Sequence, residues 1–181
     1  MEPTDPVLGR GILVATEATT EPMPGVSVVP SRARVRLDRR TLPGETAEQV
    51  LAEIEPALDI ARASGAQATA TISSGALTTY TGHRLDGERF LPAWRLSEDH
   101  ALARAAGRAL EQALGSTTLS HYGFCTNGSL TAGTLGIPTI GFGPGDTRQA
   151  HQADEHIDID DLELGRKGFA ALAAIQPEVM T

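Results

Sequence analysis

Residues 136–156 read GIPTIGFGPGDTRQAHQADEH, and no other stretch of the chain is as informative. Residues 137–140 are short and apolar, which is typical of a strand. The rest is rich in glycine, histidine and carboxylates, too polar for a connection through a core. Loops at the carboxyl ends of parallel strands are where α/β proteins place ligand sites. Taken alone, however, a glycine-rich loop with a histidine is explained about equally well by an ordinary surface loop, and the Asp146 and Arg148 that follow the glycines exclude a P-loop.

The elements around this stretch predict an α/β arrangement. A helix is expected after Ser97, a favourable N-cap residue, with an apolar stripe running to a stop at Gly115. A short strand is expected at 119–122 and a last helix at about 160–175. Short strands alternating with helices indicate a parallel sheet covered by helices.

The first half of the chain has a different pattern. Residues 11–18 are apolar and β-branched, and residues 27–38 alternate between apolar and charged side chains, so both predict strands. Thr46 and Gln49 have the spacing of a capping box at the start of a helix, which Pro56 should kink. Residues 74–92 hold few periodic apolar positions. We therefore place a boundary there and predict two domains, 1–85 and 86–181.

Composition narrows the class of protein. Of 181 residues, 40% are hydrophobic and 21% charged, as in soluble globular proteins, and the net charge of -8 argues against a nucleic-acid partner. One cysteine excludes an internal disulfide and favours a reducing compartment. No apolar run approaches ~18 residues, so no membrane span is expected. The N-terminus lacks the pattern of a signal peptide, and a cytoplasmic location is expected.

Four segments, in one order, then suggest a family. They are LDRRTLPGET (37–46), YTGHRLDGERFLPAWRLSEDH (80–100), FCTNG (124–128) and the stretch 136–156. Together they resemble the C-terminal portion of the aminoacylase, acetylornithine deacetylase and succinyl-diaminopimelate desuccinylase family of dinuclear-zinc metallopeptidases, closest to its selenium-metabolism hydrolase branch. The resemblance implies the C-terminal part of a parallel-sheet catalytic domain plus an incomplete, ferredoxin-like α+β lid or dimerisation domain.

The resemblance also implies roles for particular residues. His151 matches a histidine that ligates one of two zinc ions, and Glu155 matches the acidic residue after it, where it would orient the histidine or a substrate group. Arg40 matches a lid arginine that binds the substrate carboxylate. Loops lining the substrate pocket correspond to Thr126, Asn127, Gly128, Gly143 and Gly145.

A simpler interpretation, without a role in binding or catalysis, also fits each of these residues. His151 could be a polar loop residue, and Arg40 could be a solvated arginine at the end of a strand. His156 is expected at the surface, and Cys125 is expected to be a small packed residue, since no base is placed to activate it.

Most of the family's metal site has no counterpart in this sequence. The family uses two metal ions that share a nucleophilic water, held by a His-x-Asp pair, a bridging Asp and a Glu-Glu pair. The chain has no Glu-Glu dipeptide, and its one His-x-Asp string, at His156, falls where the family has no ligand pair. We therefore expect one of the ligands of a two-zinc site, with cobalt or manganese able to substitute for zinc.

These matches and gaps lead to one functional expectation and one alternative. The expectation is a fragment of an amidohydrolase or peptidase acting on an N-acyl amino acid or small peptide, inactive alone. Its expected protein partner is a second copy bound through the lid domain, or an upstream chain. The alternative is a non-catalytic dimerisation or regulatory module derived from the same family.

Overall fold

Antiparallel hairpins make up most of the regular structure in the first half of the chain. The computed structural model describes residues 4–175, and the chain divides into two units, Met1–Ala93 and Trp94–Thr181. The division falls after residue 93, whereas the sequence-based boundary lies after residue 85. The strands of the first unit are β1 (Thr4–Asp5), β2 (Gly9–Arg10), β3 (Ile12–Glu21), β4 (Arg32–Arg40), β5 (Ser74–Thr78) and β6 (Arg84–Glu88), and its helix is α1 (Ala47–Ala63).

β3 and β4 form a long two-stranded ribbon with one apolar and one charged face. A bulge at Thr16 places Glu17 opposite Arg36 and Ala18 opposite Val35. Because of this extra residue, Glu17 leaves the face of Leu13 and forms an ion pair with Arg36 at 3.0 Å. The charged face is solvated, as the alternating sequence predicts, but the apolar face is also open, with Val35 57% exposed.

The start of α1 confirms the predicted capping box. The Thr46 hydroxyl accepts the Gln49 N–H at 3.3 Å, and the Gln49 side chain accepts the Thr46 N–H at 2.9 Å. The helix continues through Pro56 to Ala63, because proline removes one N–H donor and the remaining hydrogen bonds continue the helix; the kink expected at Pro56 stays a prediction.

Arg39 at the end of β4 joins the ribbon to α1. Its guanidinium lies 2.5 Å from a Glu45 oxygen and 3.0 Å from a Glu53 oxygen. Its side chain is only 8% exposed and that of Glu45 11%. The ion pair is therefore largely removed from water, so that loss of either side chain would leave the other charge buried and unpaired.

The second unit is built around two helices, α2 (Ala101–Leu114) and α3 (Ile159–Ala173), which pack against each other. α2 begins three residues later than predicted, because the Nδ1 of His100, and not Ser97, accepts the first free N–H, from Leu102. It ends as predicted at Gly115, whose φ of +84° is the left-handed conformation of a C-cap. The buried side chains of the unit's core lie on α2: Leu102, Ala103, Ala105, Ala106 and Leu110.

Among residues 4–175 the strands pair only in antiparallel fashion, so the mixed α/β class is confirmed while the predicted parallel sheet is not present. Residues 119–122 and 137–140, which were expected to be strands, have no ladder partner there, and a strand needs a neighbour to satisfy its backbone. Residues 74–92, expected to be irregular, contain the hairpin β5–β6. No helix in the described part of the chain has the length and apolar character needed to span a membrane.

Candidate functional site

The glycine-rich loop before His151 is held against α3 by two side chains. Phe142 packs on Gly168, and Pro144 packs on Gly165, both buried glycines of α3. A Cβ at Gly165 would lie 2.9 Å from Pro144, and one at Gly168 would overlap the Phe142 ring. Because the two glycines are three residues apart they share one helix face, which leaves room for the loop to lie directly on the backbone.

After this anchor, a short turn leads to His151. Asp146 caps the 3₁₀ turn Thr147–Gln149 by accepting the Arg148 N–H at 2.9 Å. The Arg148 guanidinium, with its Nε 2.8 Å from Asp146 Oδ2, lowers the pKa of that carboxyl from its usual 3.8 and raises that of the arginine. The turn is therefore fixed by a charged pair at neutral pH.

His151 itself is exposed and has an uncommon backbone conformation. Its φ is +62°, in the left-handed region that few residues other than glycine adopt. Its N–H donates to Glu155 Oε2 at 3.1 Å, so Glu155 fixes the backbone of His151. The ring of His151 has no hydrogen bond to any residue in the described range 4–175. Conformations of this kind are concentrated at ligand sites, where surrounding contacts hold them.

The predicted pocket residues Thr126, Asn127 and Gly128 form a turn that begins a π-helix, Ser129–Thr134. The Thr126 hydroxyl accepts the Gly128 N–H at 3.2 Å and lies 3.3 Å from the Tyr122 hydroxyl. The same tyrosine ring lies on Gly141, at the start of the anchored loop, where a Cβ would be 2.8 Å away. Tyr122 therefore connects the two loops in which sequence reasoning placed pocket residues.

The remaining pocket residues have separate positions. Gly143 has open space around its Cα, and Gly145 has a φ of +90° beside Ile157, so both glycines leave the loop backbone accessible. Arg40 lies in the other unit, at the end of β4. Its side chain is 51% exposed and pairs with Asp38 at 3.5 Å, which leaves the guanidinium in water.

The described residues do not by themselves provide the donors for a metal pair. No group of three or more His, Cys, Asp or Glu side chains that could hold a metal ion occurs within residues 4–175. His151 offers one exposed imidazole, and a zinc site in proteins requires three or four such donors.

Sequence reasoning missed the side chains that hold these loops in place: Trp94, Tyr122, Phe124, Phe142 and Pro144. Tyr122 stacks on Phe124 with ring centroids 4.5 Å apart, and Trp94 meets Tyr122 edge-on at 6.4 Å. One signal was available: the glycines at 165 and 168 lie three apart within a predicted helix, which indicates close approach by another segment.

Comparison with known proteins agrees with the resemblance seen in the motifs. The family model for peptidase family M20/M25/M40 matches residues 1–175. The uncharacterized protein YgeY of Escherichia coli K12 and that of Escherichia coli O157:H7 are each 33% identical over 152 residues, or 83% of this chain. The chain spans 37% of the length of these relatives, and no solved structure matches it. This chain therefore belongs to peptidase family M20/M25/M40.

Proposed function

We propose that this chain contributes to a metal-dependent hydrolase of amide bonds in N-acyl amino acids or small peptides, and that it is inactive alone. The observation that carries the proposal is the conformation of His151, the histidine that matches a zinc ligand of the family. Its side chain is exposed, and its left-handed backbone is held by the hydrogen bond to Glu155. Zinc, when bound by a complete set of ligands, would polarise the amide carbonyl and activate water. This chain's part is to present one imidazole at a fixed place.

The loops that the resemblance assigns to the substrate pocket suit the binding of a small substrate. The loop 141–145 exposes backbone at Gly143 and Gly145, which permits close approach by a ligand, whereas Gly128 of the turn 126–128 is buried under Trp94. Arg40, half exposed at the end of β4, is proposed to bind the substrate carboxylate, since a guanidinium can bond both carboxylate oxygens. Residues 119–122 and 137–140, which lack ladder partners, are proposed to be strands of a parallel sheet completed by further polypeptide.

The metal-ligand assignment can be tested on the chain as it is. Addition of Co²⁺ should broaden the ring signals of His151 in a proton NMR spectrum more than those of His121, which is also exposed. His151→Ala should remove the effect, and His156→Ala should leave it in place. Equal broadening of His121 and His151 would refute the assignment.

Activity is tested separately. With zinc added, the chain alone should hydrolyse N-acyl amino acids and dipeptides no faster than buffer does. Hydrolysis well above that rate, abolished by His151→Ala, would show that the proposed inactivity is wrong while the role of His151 stands. In-frame coding sequence upstream of Met1 that encodes His-x-Asp and Glu-Glu would favour the enzyme reading.

The second candidate is a non-catalytic dimerisation or regulatory module. It is favoured by the open apolar face of the β3–β4 ribbon, where Leu13 and Val35 are exposed and β3 has a free edge. A stable dimer of the 181-residue chain in light scattering, together with no upstream ligand motifs, would favour this module. In either case we propose a cytoplasmic location.

A further inference from the structure

Residues 112–145 contain no Asp, Glu, Lys or Arg. The chain's average of 21% charged residues would place about seven in a stretch of this length. Nine of the 34 residues are instead Ser or Thr, and many positions of the stretch are exposed. The stretch that includes both pocket loops therefore carries no Asp, Glu, Lys or Arg side chain and is rich in hydroxyl groups.

Three of the chain's seven aromatic side chains meet at this stretch: Tyr122 and Phe124 belong to it, and Trp94 lies on its Gly128. Phe124 and Tyr122 stack with their rings 18° from parallel, and Trp94 meets Tyr122 at 75°. Phe124 is 44% exposed, so the cluster keeps an open ring surface. Aromatic rings of this kind favour a further flat group, which stacks or meets them edge-on.

Two rings of the cluster lie directly on the backbone of the pocket loops. Trp94 lies directly on Gly128, where a Cβ would overlap the indole, and Tyr122 lies on Gly141. The Tyr122 hydroxyl is within hydrogen-bond distance of Thr126. The aromatic rings are thereby fixed beside the same loops that we propose bind the substrate, and apolar surface with a few directed polar groups is typical of small-molecule sites.

We infer that the aromatic cluster of Trp94, Tyr122 and Phe124 binds a flat, uncharged substituent of the substrate, such as an aromatic acyl group or side chain. This inference rests on the proposed function and names its substrate class. A charged substituent would find no counterion in residues 112–145 and would lose hydration there. An aliphatic or missing substituent would leave the ring surface in water.

Two matched probes test the inference without metal. N-benzoylglycine and N-acetylglycine share the amide and the carboxylate and differ in the ring. Trp94 is the only tryptophan, so its indole N–H gives a single signal in a ¹H–¹⁵N spectrum. We expect N-benzoylglycine to shift that signal with about tenfold higher affinity than N-acetylglycine.

A pair of variants locates the effect. Phe124→Ala should weaken N-benzoylglycine binding roughly threefold to tenfold and leave N-acetylglycine unchanged. Phe169→Ala is the control, because Phe169 is a partly exposed member of another aromatic pair in the same unit, and it should leave both affinities unchanged. Three outcomes would overturn the inference: equal affinities for the two probes, no shift of the Trp94 signal by millimolar N-benzoylglycine, or equal losses of affinity in the two variants. Each would favour a protein segment, and not a substrate group, as what packs on the cluster. The Co²⁺ experiment follows the His151 ring, so either proposal can fail while the other stands.

Discussion

The two units of this chain are stabilised in different ways. In the second unit, five buried apolar residues of α2 form a core against which α3 packs, and α3 in turn holds the glycine-rich loop. In the first unit only Leu42 and Val50 are buried apolar residues among those described, and the ribbon is joined to α1 through the ion pairs of Arg39. The second unit, which contains His151, is therefore stabilised by an apolar core of its own. The first unit, which contains Arg40, is stabilised mainly by ion pairs.

The largest expected effect is in the first unit. Arg39→Ala leaves the nearly buried Glu45 without its partner and should cost about 3 kcal/mol of unfolding free energy. Amide hydrogen exchange should accelerate in Ala47–Ala63 and stay unchanged in Ala101–Leu114. Arg40→Ala, at the adjacent exposed position, is the control and should change stability by less than about 0.5 kcal/mol. Similar losses in the two variants would remove the contrast between the units.

The next effect is in the second unit. Gly168→Ala places a Cβ against Phe142 and Leu110, so it should cost about 1–3 kcal/mol in urea unfolding and loosen the loop before His151. The same substitution at Gly107 of α2 meets open space, and should stabilise by about 0.5–1 kcal/mol because alanine loses less backbone entropy. A gain at both positions would show that the loop does not lie on α3.

A smaller effect separates true from apparent helix caps. Thr46→Ala removes half of the capping box of α1 and should cost about 1 kcal/mol. Ser97 is an equally good cap by sequence but does not cap α2, so Ser97→Ala should leave the stability nearly unchanged. Both variants are compared with the unsubstituted chain by thermal unfolding. Equal losses would mean that α2 starts at Ser97 in solution.

The smallest effect is a pH dependence confined to one turn. Because Arg148 lowers the pKa of Asp146, the cap is present above the unfolded value of 3.8 and is lost only as the pH falls through the lower folded value. The amide shift of Arg148 in NMR spectra should therefore be constant from pH 7 to 4 and change below that. A midpoint above 4 would contradict the observed pairing.

Local signals in the sequence predicted local structure well. The capping box at Thr46, the C-cap at Gly115 and the alternation along β4 each depend on neighbours within a few residues, and each is confirmed. The strands expected at 119–122 and 137–140 depend on partners far along or outside the chain, which periodicity does not reveal. His151 was predicted as a metal ligand from a motif, and that role stays a prediction, whereas the aromatic cluster was not predicted, because its members meet only after folding.

The bulge at Thr16 determines which face of the ribbon each later side chain of β3 occupies. Residues before it and after it are out of phase, so that Leu13 and Ala18 share a face although they are an odd number of positions apart. Removing Thr16 would restore strict alternation and turn every side chain on one half of the strand to the opposite side. Substitutions along β3 should therefore be tolerated far more readily than the insertion or loss of a single residue, and homologues should vary in the composition of this strand while keeping its length.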